Sequence, residues 1–279
     1  MRLLVTGAGG GVGRSFLDQV PGHHDVSVFT HEELDVGDHH AVMRTVTAAH
    51  PDAVLNFAAM TDVDGCESRR EEAYRANAIG PWNLALAARR AGAILLHVST
   101  DFVFDGSKAA PYDELDRPEP ASVYGRSKLG GEEMVRSVTP EHVIVRTSYV
   151  FGGGADHVSK QADRLARAEP GRGIADCTGS PTYVKHLAAR LLPLVLTGRF
   201  GTYHVAGPEP ASRHDVLSRI KSVAGLPGEL ERQRVEELAL PAPRPRNSAL
   251  TSLFLPDTGI PPMPPLDVAV KEFIDERGL

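Results

Sequence analysis

At 279 residues, 42% of them hydrophobic and 24% charged, the chain has the length for one large domain, or a domain with a smaller appendage, around a sizeable core. A net charge of -6, with arginines scattered rather than clustered, excludes a surface built for nucleic acid or an anionic membrane. Two cysteines, Cys66 and Cys177, are too few for a disulfide framework and fit a reducing, cytoplasmic setting.

No signal peptide is expected ahead of the first apolar run, and no run approaches the ~18 residues of a membrane span. No cysteine or histidine spacing suggests a metal site. The first run, Arg2–Thr6, reads as a strand that leads straight into Gly7-Ala8-Gly9-Gly10-Gly11-Val12-Gly13-Arg14. Gly7, Gly10 and Gly13 fit G-x-x-G-x-x-G, and a helix follows to Val20. Glycine permits the tight turn and the close approach of backbone to a pyrophosphate at the helix start. Strand, loop and helix in that order make Gly7 to Arg14 a candidate dinucleotide site.

Asp25–Phe29 reads as the second strand. An acid that binds a ribose 2′-hydroxyl belongs at its end, but Thr30-His31 stands there. With no carboxylate to repel a 2′-phosphate, NADPH is admissible, and Arg14 is either a partner for that phosphate or a surface helix residue. Glu32 and Glu33 lie near enough to keep NADH open. In Leu34-Asp35-Val36-Gly37-Asp38 a carboxylate can accept from an adenine amino group, although Asp38 serves equally as an N-cap for the helix through Ala49.

Asp52–Asn56 is the third strand, after which Ala58 and Ala59 are small enough for a cofactor to lie against backbone. The loop Met60–Asp64 carries two carboxylates. A long helix is expected from about Glu71 to Ala91, and Asn77 within it is a poor helix former that either has a polar duty or faces solvent. Ala93–Val98 is a fourth, near-continuously apolar strand, as in a parallel sheet covered on both faces. Thr100, at its carboxyl end, either hydrogen-bonds a substrate oxygen or merely closes the strand. Strands alternating with helices predict an α/β fold, a doubly wound parallel sheet of the Rossmann kind.

Ser122–Glu132 places Tyr124 and Lys128 four residues apart, the spacing that stacks two side chains on one face of a helix. A tyrosine is a sluggish acid at neutral pH, and a nearby ammonium is expected to lower its pKa towards the range of proton transfer. The bland alternative is an amphipathic helix start with a lysine facing solvent. Val143–Val145 is a further strand, and Gly152-Gly153-Gly154 reads as a hinge-like break before a helix near His157 to Ala168. We expect a dinucleotide-binding domain over residues 1–150, with 173–205 returning to it. Residues 151–172 and 206–279 would then form a smaller substrate-binding lobe, including a helix from Arg213 to Ala224 and a stiff proline-rich stretch at 241–246.

With these pieces assembled, the chain resembles the extended short-chain dehydrogenase/reductases, and within them the dTDP-4-dehydrorhamnose reductase family. The likeness runs almost end to end. It rests on Asn56-Phe57-Ala58-Ala59 with Thr61-Asp62-Val63-Asp64, on Ser99-Thr100-Asp101-Phe102-Val103-Phe104-Asp105-Gly106, and on Tyr124-Gly125-Arg126-Ser127-Lys128. Arg146-Thr147-Ser148-Tyr149-Val150, Thr178–Tyr183 and Arg244–Ser248 complete it. The resemblance implies reduction, with NADPH or NADH, of the 4-keto group of a dTDP-4-keto-6-deoxyhexose.

Residue by residue, it implies Tyr124 as the general acid, Lys128 as the holder of the nicotinamide ribose, and Thr100 as the group orienting the keto oxygen. Asp35 and Val36 match adenine contacts, while Val63 and Asp64 match a loop on the substrate side, where Asp101, Phe102 and Tyr149 also fall. An arginine suits bidentate phosphate recognition, so Arg244 is expected on the sugar diphosphate. Two positions depart from the family: tryptophan is common where Tyr149 stands, and tyrosine where Phe102 stands. Both lie where the hexose should sit. Relatives that dehydrate nucleotide sugars carry Thr-Asp-Glu at the strand end, and the Phe102 ring in place of that glutamate cannot transfer a proton. Other relatives bind NADP as non-catalytic regulatory subunits, a rival that the Thr100, Tyr124 and Lys128 set weighs against. Some members act on cell-wall rhamnose and others on secondary-metabolite sugars such as the dihydrostreptose precursor. A homodimer, and the magnesium some members hold at a subunit contact, are left open.

Overall fold

The computed structural model describes residues 1–279, and strands alternate with helices from its first residues. In order come β1 (Arg2–Thr6), α1 (Gly11–Leu17), β2 (Asp25–Phe29), α2 (His39–Ala49), β3 (Ala53–Asn56) and α3 (Val63–Ser68). Next are α4 (Arg70–Tyr74), α5 (Gly80–Ala91), β4 (Ile94–Thr100), α6 (Val123–Val138) and β5 (His142–Thr147). The second half holds β6 (Val150–Phe151), α7 (His157–Ala166), β7 (Gly171–Ile174), β8 (Thr178–Gly179), β9 (Thr182–Tyr183) and α8 (Val184–Leu196). The last elements are β10 (Gly201–His204), β11 (Ala211–Ser212), α9 (Arg213–Ala224), β12 (Leu230–Gln233) and α10 (Leu266–Arg277).

Six strands form one parallel sheet in the order β10-β5-β4-β3-β1-β2. Strand order reverses at β1, and ligands in such sheets bind outside the carboxyl ends at that reversal. Alternate residues feed two cores. Leu3, Val5, Leu55, Leu96 and Val145 pack with Phe16 of α1 and with Leu187 and Leu191 of α8. Leu4, Val54, Leu95 and Ile144 pack on the other face with Val42 of α2, Leu84 of α5 and Val135 of α6. Each fully buried leucine of this kind contributes ~1.5–3 kcal/mol. Coverage of both faces is why the strands read as near-continuous apolar runs.

The helix expected from Glu71 to Ala91 is interrupted. Between α4 and α5 lies a π-helical turn, Arg75–Ile79, which carries Asn77 inward to full burial. β4 runs two residues beyond its expected end, so Thr100 belongs to the strand and pairs in register with Thr147. Helix α6 is fixed to the sheet by its buried Glu132. That carboxylate accepts from Arg146 at 2.9 and 2.7 Å, from Arg136 at 2.7 Å and from Ser99 at 2.5 Å. Burial acts to raise its pKa, but the two guanidiniums and the hydroxyl outweigh that and hold it down at about 2.

In the second half, β7 pairs with β12, β8 with β11 and β6 with β9, all outside the main sheet. Of the stretch 173–205, the parts that rejoin the sheet layer are therefore α8, packed on α1, and β10, paired with β5. The lobe has its own core, in which Val158, Leu165, Leu217 and Ile220 surround Phe151, Tyr183 and Phe273. Helix α9 begins where expected because Ser212 and Asp215 form a capping box, and it ends at Gly225 in the left-handed conformation. Cys66 and Cys177 are buried free thiols. No helix is long and apolar enough to cross a membrane.

Candidate active site

The glycine loop has the geometry its residues require. Gly7 has φ of 69°, and a Cβ there would stand 2.4 Å from the Ala58 nitrogen. A Cβ on Gly13 would stand 2.5 Å from the Gly7 carbonyl oxygen, so α1 can approach the loop only as glycine. Gly10 is the N-cap of α1 and supplies no side chain to take up its first amides. Beside this loop lies a cavity of about 610 Å³, lined by Gly7, Gly10, Asp35, Val36, Ala58 and Ala59 among others. The bare loop and the uncapped amides suit the phosphates of a dinucleotide. Asp35 accepts from the Gly37 amide at 2.8 Å and from Arg75 at 2.6 Å.

Three of the expected cofactor residues, Gly11, Arg14 and Asn77, do not line this cavity. Gly11 packs against Gly153, and Arg14 donates to the Gly153 carbonyl at 2.9 Å and to the Gly9 carbonyl. Arg14 thus ties the loop to the 152–154 turn and lines neither cavity. Asn77 has the polar duty rather than the solvent-facing one. It accepts from the Met60 amide at 2.8 Å and donates to the Met60 carbonyl and the Ser127 hydroxyl, both at 3.0 Å. Its amide therefore pins the loop after β3 to α6 and lines neither cavity. At the end of β2, Glu33 turns back to accept from the Thr30 amide at 2.8 Å and the Thr30 hydroxyl at 2.9 Å. Asp38 is the N-cap of α2, its carboxylate accepting from Ala41 at 3.0 Å.

A second cavity, about 390 Å³, shares Phe57 and Ala59 with the first, so the two form one groove along the carboxyl ends of the strands. Val12, Val63, Thr100, Asp101, Phe102, Tyr124, Lys128, Tyr149 and Arg244 all line it. Ser122 caps α6 by accepting from the Gly125 amide at 3.0 Å, which puts Tyr124 in the first turn and Lys128 in the second. The lysine does not face solvent: its ammonium nitrogen lies 2.7 Å from the Val98 carbonyl and 3.4 Å from His97 Nε2. Thr100 donates to Asp101 at 3.0 Å, and Asp101 also accepts from Ser148 at 2.7 Å and Ser248 at 2.5 Å. Asp64 does not line it; its carboxylate accepts from Arg244 at 2.6 and 3.0 Å and from the Ala242 amide at 3.1 Å.

The electrostatics differ from the expectation that Lys128 lowers the Tyr124 pKa. Burial pushes the phenol well up, the Thr100 side chain acts against that, and Asp101 adds to it. Burial also pulls Lys128 down to about 8, with Glu132 acting the other way. The reason is geometric: the lysine nitrogen is turned to the β4 backbone and His97, so desolvation decides both members of the pair. Tyr124 stays a neutral phenol with a proton to give. Its ring meets Phe102 edge-on, with centroids 5.7 Å apart.

The lobe adds a residue that the sequence did not single out. Arg213, the first residue of α9, lines the second cavity with its guanidinium carbon 4.7 Å from the centre of the Tyr149 ring. Its only signal was an arginine just after a capping serine. No group of three or more histidine, cysteine, aspartate or glutamate side chains that could hold a metal ion is gathered in the molecule.

Comparison with known proteins adds three relatives to this geometry. The dTDP-4-dehydrorhamnose reductase of Mycobacterium tuberculosis is 39% identical over 271 residues, which cover 94% of this chain and 88% of that protein. The spore coat polysaccharide biosynthesis protein SpsK of Bacillus subtilis is 35% identical, over 99% of this chain and 98% of its own. The crystal structure of dTDP-4-dehydrorhamnose reductase from Bacillus anthracis in complex with NADP superposes with a TM-score of 0.95 at 33% identity, covering 99% of each chain. The profile of one family, described as the RmlD substrate binding domain, matches residues 1–278. A match of that extent, on a fold and a groove of this kind, means that the chain belongs to the RmlD substrate binding domain family.

Proposed function

We propose that this protein reduces the 4-keto group of a dTDP-4-keto-6-deoxyhexose, with NADPH as the preferred cofactor. The observation that carries the reading is the single groove, which runs from the glycine loop to Thr100, Tyr124 and Lys128 at the carboxyl ends of the strands. Gly7, Gly10, Asp35, Val36, Ala58 and Ala59 would hold the dinucleotide, which supplies the hydride for the carbonyl carbon when bound. The remaining steps belong to this chain. Thr100 orients the keto oxygen, and Tyr124 gives it the phenolic proton as negative charge develops there. The product is an alcohol, and the Tyr124 phenolate then regains its proton from solvent. Lys128 holds the nicotinamide ribose. Val63 and Tyr149 face the hexose, and a guanidinium from the lobe side takes the diphosphate. Arg213 suits that duty better than Arg244, whose fork is already closed on Asp64.

NADPH is preferred because Thr30-His31, and no acid, directly follows β2, and Glu33 further on is committed to Thr30 rather than extended to a ribose. The test is oxidation of NADPH, and of NADH, in the presence of a panel of dTDP-4-keto sugars. Turnover with at least one sugar, at an efficiency higher with NADPH than with NADH, is expected. Cofactor binding without turnover of any sugar would overturn the reading in favour of a regulatory subunit.

A further inference from the structure

Beneath Lys128 runs a buried row of polar side chains that the reaction as described leaves unused. Thr6, Asn56 and His97 are register partners on β1, β3 and β4, and all three are buried. Asn56 Oδ1 accepts from the backbone amide of Ala58 at 3.1 Å and from the Thr6 hydroxyl at 2.8 Å. A backbone N–H can only donate, so the carboxamide cannot be turned round without setting a donor against a donor. Its NH2 therefore faces His97 Nδ1, 3.0 Å away, and that ring nitrogen must accept. Burial, and then Lys128, push His97 well below its ordinary pKa, so the ring is neutral and carries one N–H. With Nδ1 bare, the hydrogen sits on Nε2, aimed at the Lys128 nitrogen 3.4 Å away. An ammonium has only donors to offer there, whereas a neutral amine has a lone pair to accept.

We infer that His97, locked as its Nε2–H tautomer by Asn56, is a positioning residue that sets how readily Lys128 gives up its proton. The inference rests on the reading of Lys128 as part of a reductase site. The other groups around the lysine do not supply this effect. The Val98 carbonyl accepts from either form of the amine, at 2.7 Å. Tyr124, one turn back, is a neutral phenol. Glu132, one turn on, favours the ammonium, but its carboxylate is shared among Arg146, Arg136 and Ser99. An ammonium kept from holding its proton too firmly can release and regain it within a catalytic cycle. It is also the stronger donor to a ribose, so the rate falls as pH rises through the Lys128 pKa.

The wild-type protein tests the first half directly. Nitrogen-15 NMR of labelled histidine, with and without NADPH, should read His97 as the Nε2–H tautomer across the neutral and mildly alkaline range. A ring found as the Nδ1–H tautomer, or as imidazolium, overturns the inference before any residue is changed. Two substitutions test the second half. In Asn56→Asp the isosteric carboxylate accepts from Ala58, Thr6 and His97 Nδ1–H, which moves the ring proton and leaves Nε2 to accept from the ammonium. In His97→Phe the opposing N–H disappears and no charge is added. Both should raise the Lys128 pKa, read by carbon-13 titration of labelled lysine, and move the alkaline fall of kcat up by about one pH unit or more. A shift in Asn56→Asp alone would assign the effect to the new charge, and a uniform loss of rate with no shift in either would reduce His97 to a structural part. The titration reads Lys128 whether or not any sugar is turned over, so failure of the proposed function would not be mistaken for failure of this inference.

Discussion

Replacing Arg213 by leucine is the sharpest test of how the lobe contributes to the groove. Arg213 opens α9, lines the second cavity and stacks on Tyr149, and no carboxylate is paired with it. Arg244 lines the same cavity but has two bonds to Asp64, at 2.6 and 3.0 Å. A guanidinium without an ion-pair partner at the cavity wall gains most when an anion arrives. A hydrogen bond to a charged group is worth ~1.5–3 kcal/mol, which corresponds to ~10- to 150-fold in affinity. Arg213→Leu should therefore raise KM for the dTDP-sugar, and Ki for dTDP itself, by ~10- to 100-fold. Because the contact is made equally in ground and transition states, kcat should change little, and so should KM for NADPH. Some of the loss will come from the ring of Tyr149, since a cation over an aromatic face contributes ~0.5–1 kcal/mol at exposed sites. Steady-state kinetics with dTDP as competitor separate these quantities. Arg244→Leu is the control, expected to lower thermal stability by leaving Asp64 without its partner. If dTDP binds Arg213→Leu as tightly as wild type while Arg244→Leu loses it, the assignment is wrong and the diphosphate belongs to Arg244.

Tyr124→Phe keeps the ring against Phe102 and removes the proton, so NADPH affinity should persist while kcat falls ~10²–10⁴-fold. Near-normal turnover by that variant would remove Tyr124 from the chemistry. Tyr149→Trp should reorder the 4-keto sugars by ~1–3 kcal/mol in kcat/KM and leave the NADPH constants unchanged, since Tyr149 lines the second cavity and not the first. A proportional fall for every sugar would show that Tyr149 does not discriminate among them.

Much of the sheet was legible because burial on both faces removes the polar alternation that blurs half-exposed strands. Leu3 to Val5, Val54 to Leu55 and Leu95 to Leu96 each feed opposite cores with adjacent residues. Helix α9 was legible to its ends because Ser212, Asp215 and Gly225 are local signals whose effects stay local. The π turn at Arg75–Ile79 was not, since its cause lies elsewhere: Met60, on a different segment, offers the amide and carbonyl that draw Asn77 in. Nor could spacing reveal that Gly171–Ile174 pairs with Leu230–Gln233, because neither segment alternates and each is short. Arg213 reaches the groove only because the lobe folds over it, so nothing in its own neighbourhood marked it.

The pair Tyr124 and Lys128 makes the same point about chemistry. Spacing along α6 puts Tyr124 and Lys128 on one face, and both line one cavity, yet it says nothing of which way the lysine turns or which proton each keeps. Those are decided by β4, where the Val98 carbonyl accepts from the nitrogen beside the His97 ring, and by how completely the cleft is buried. Desolvation stabilises the neutral form of each group, so a phenol is kept protonated and an ammonium is made easier to deprotonate. For a reductase this combination is useful, because the acid must arrive carrying its proton and must be able to recover one afterwards. A five-residue motif thus fixes which side chains meet. The burial of the cleft, and for Lys128 the strand beneath it, fix the state in which they meet.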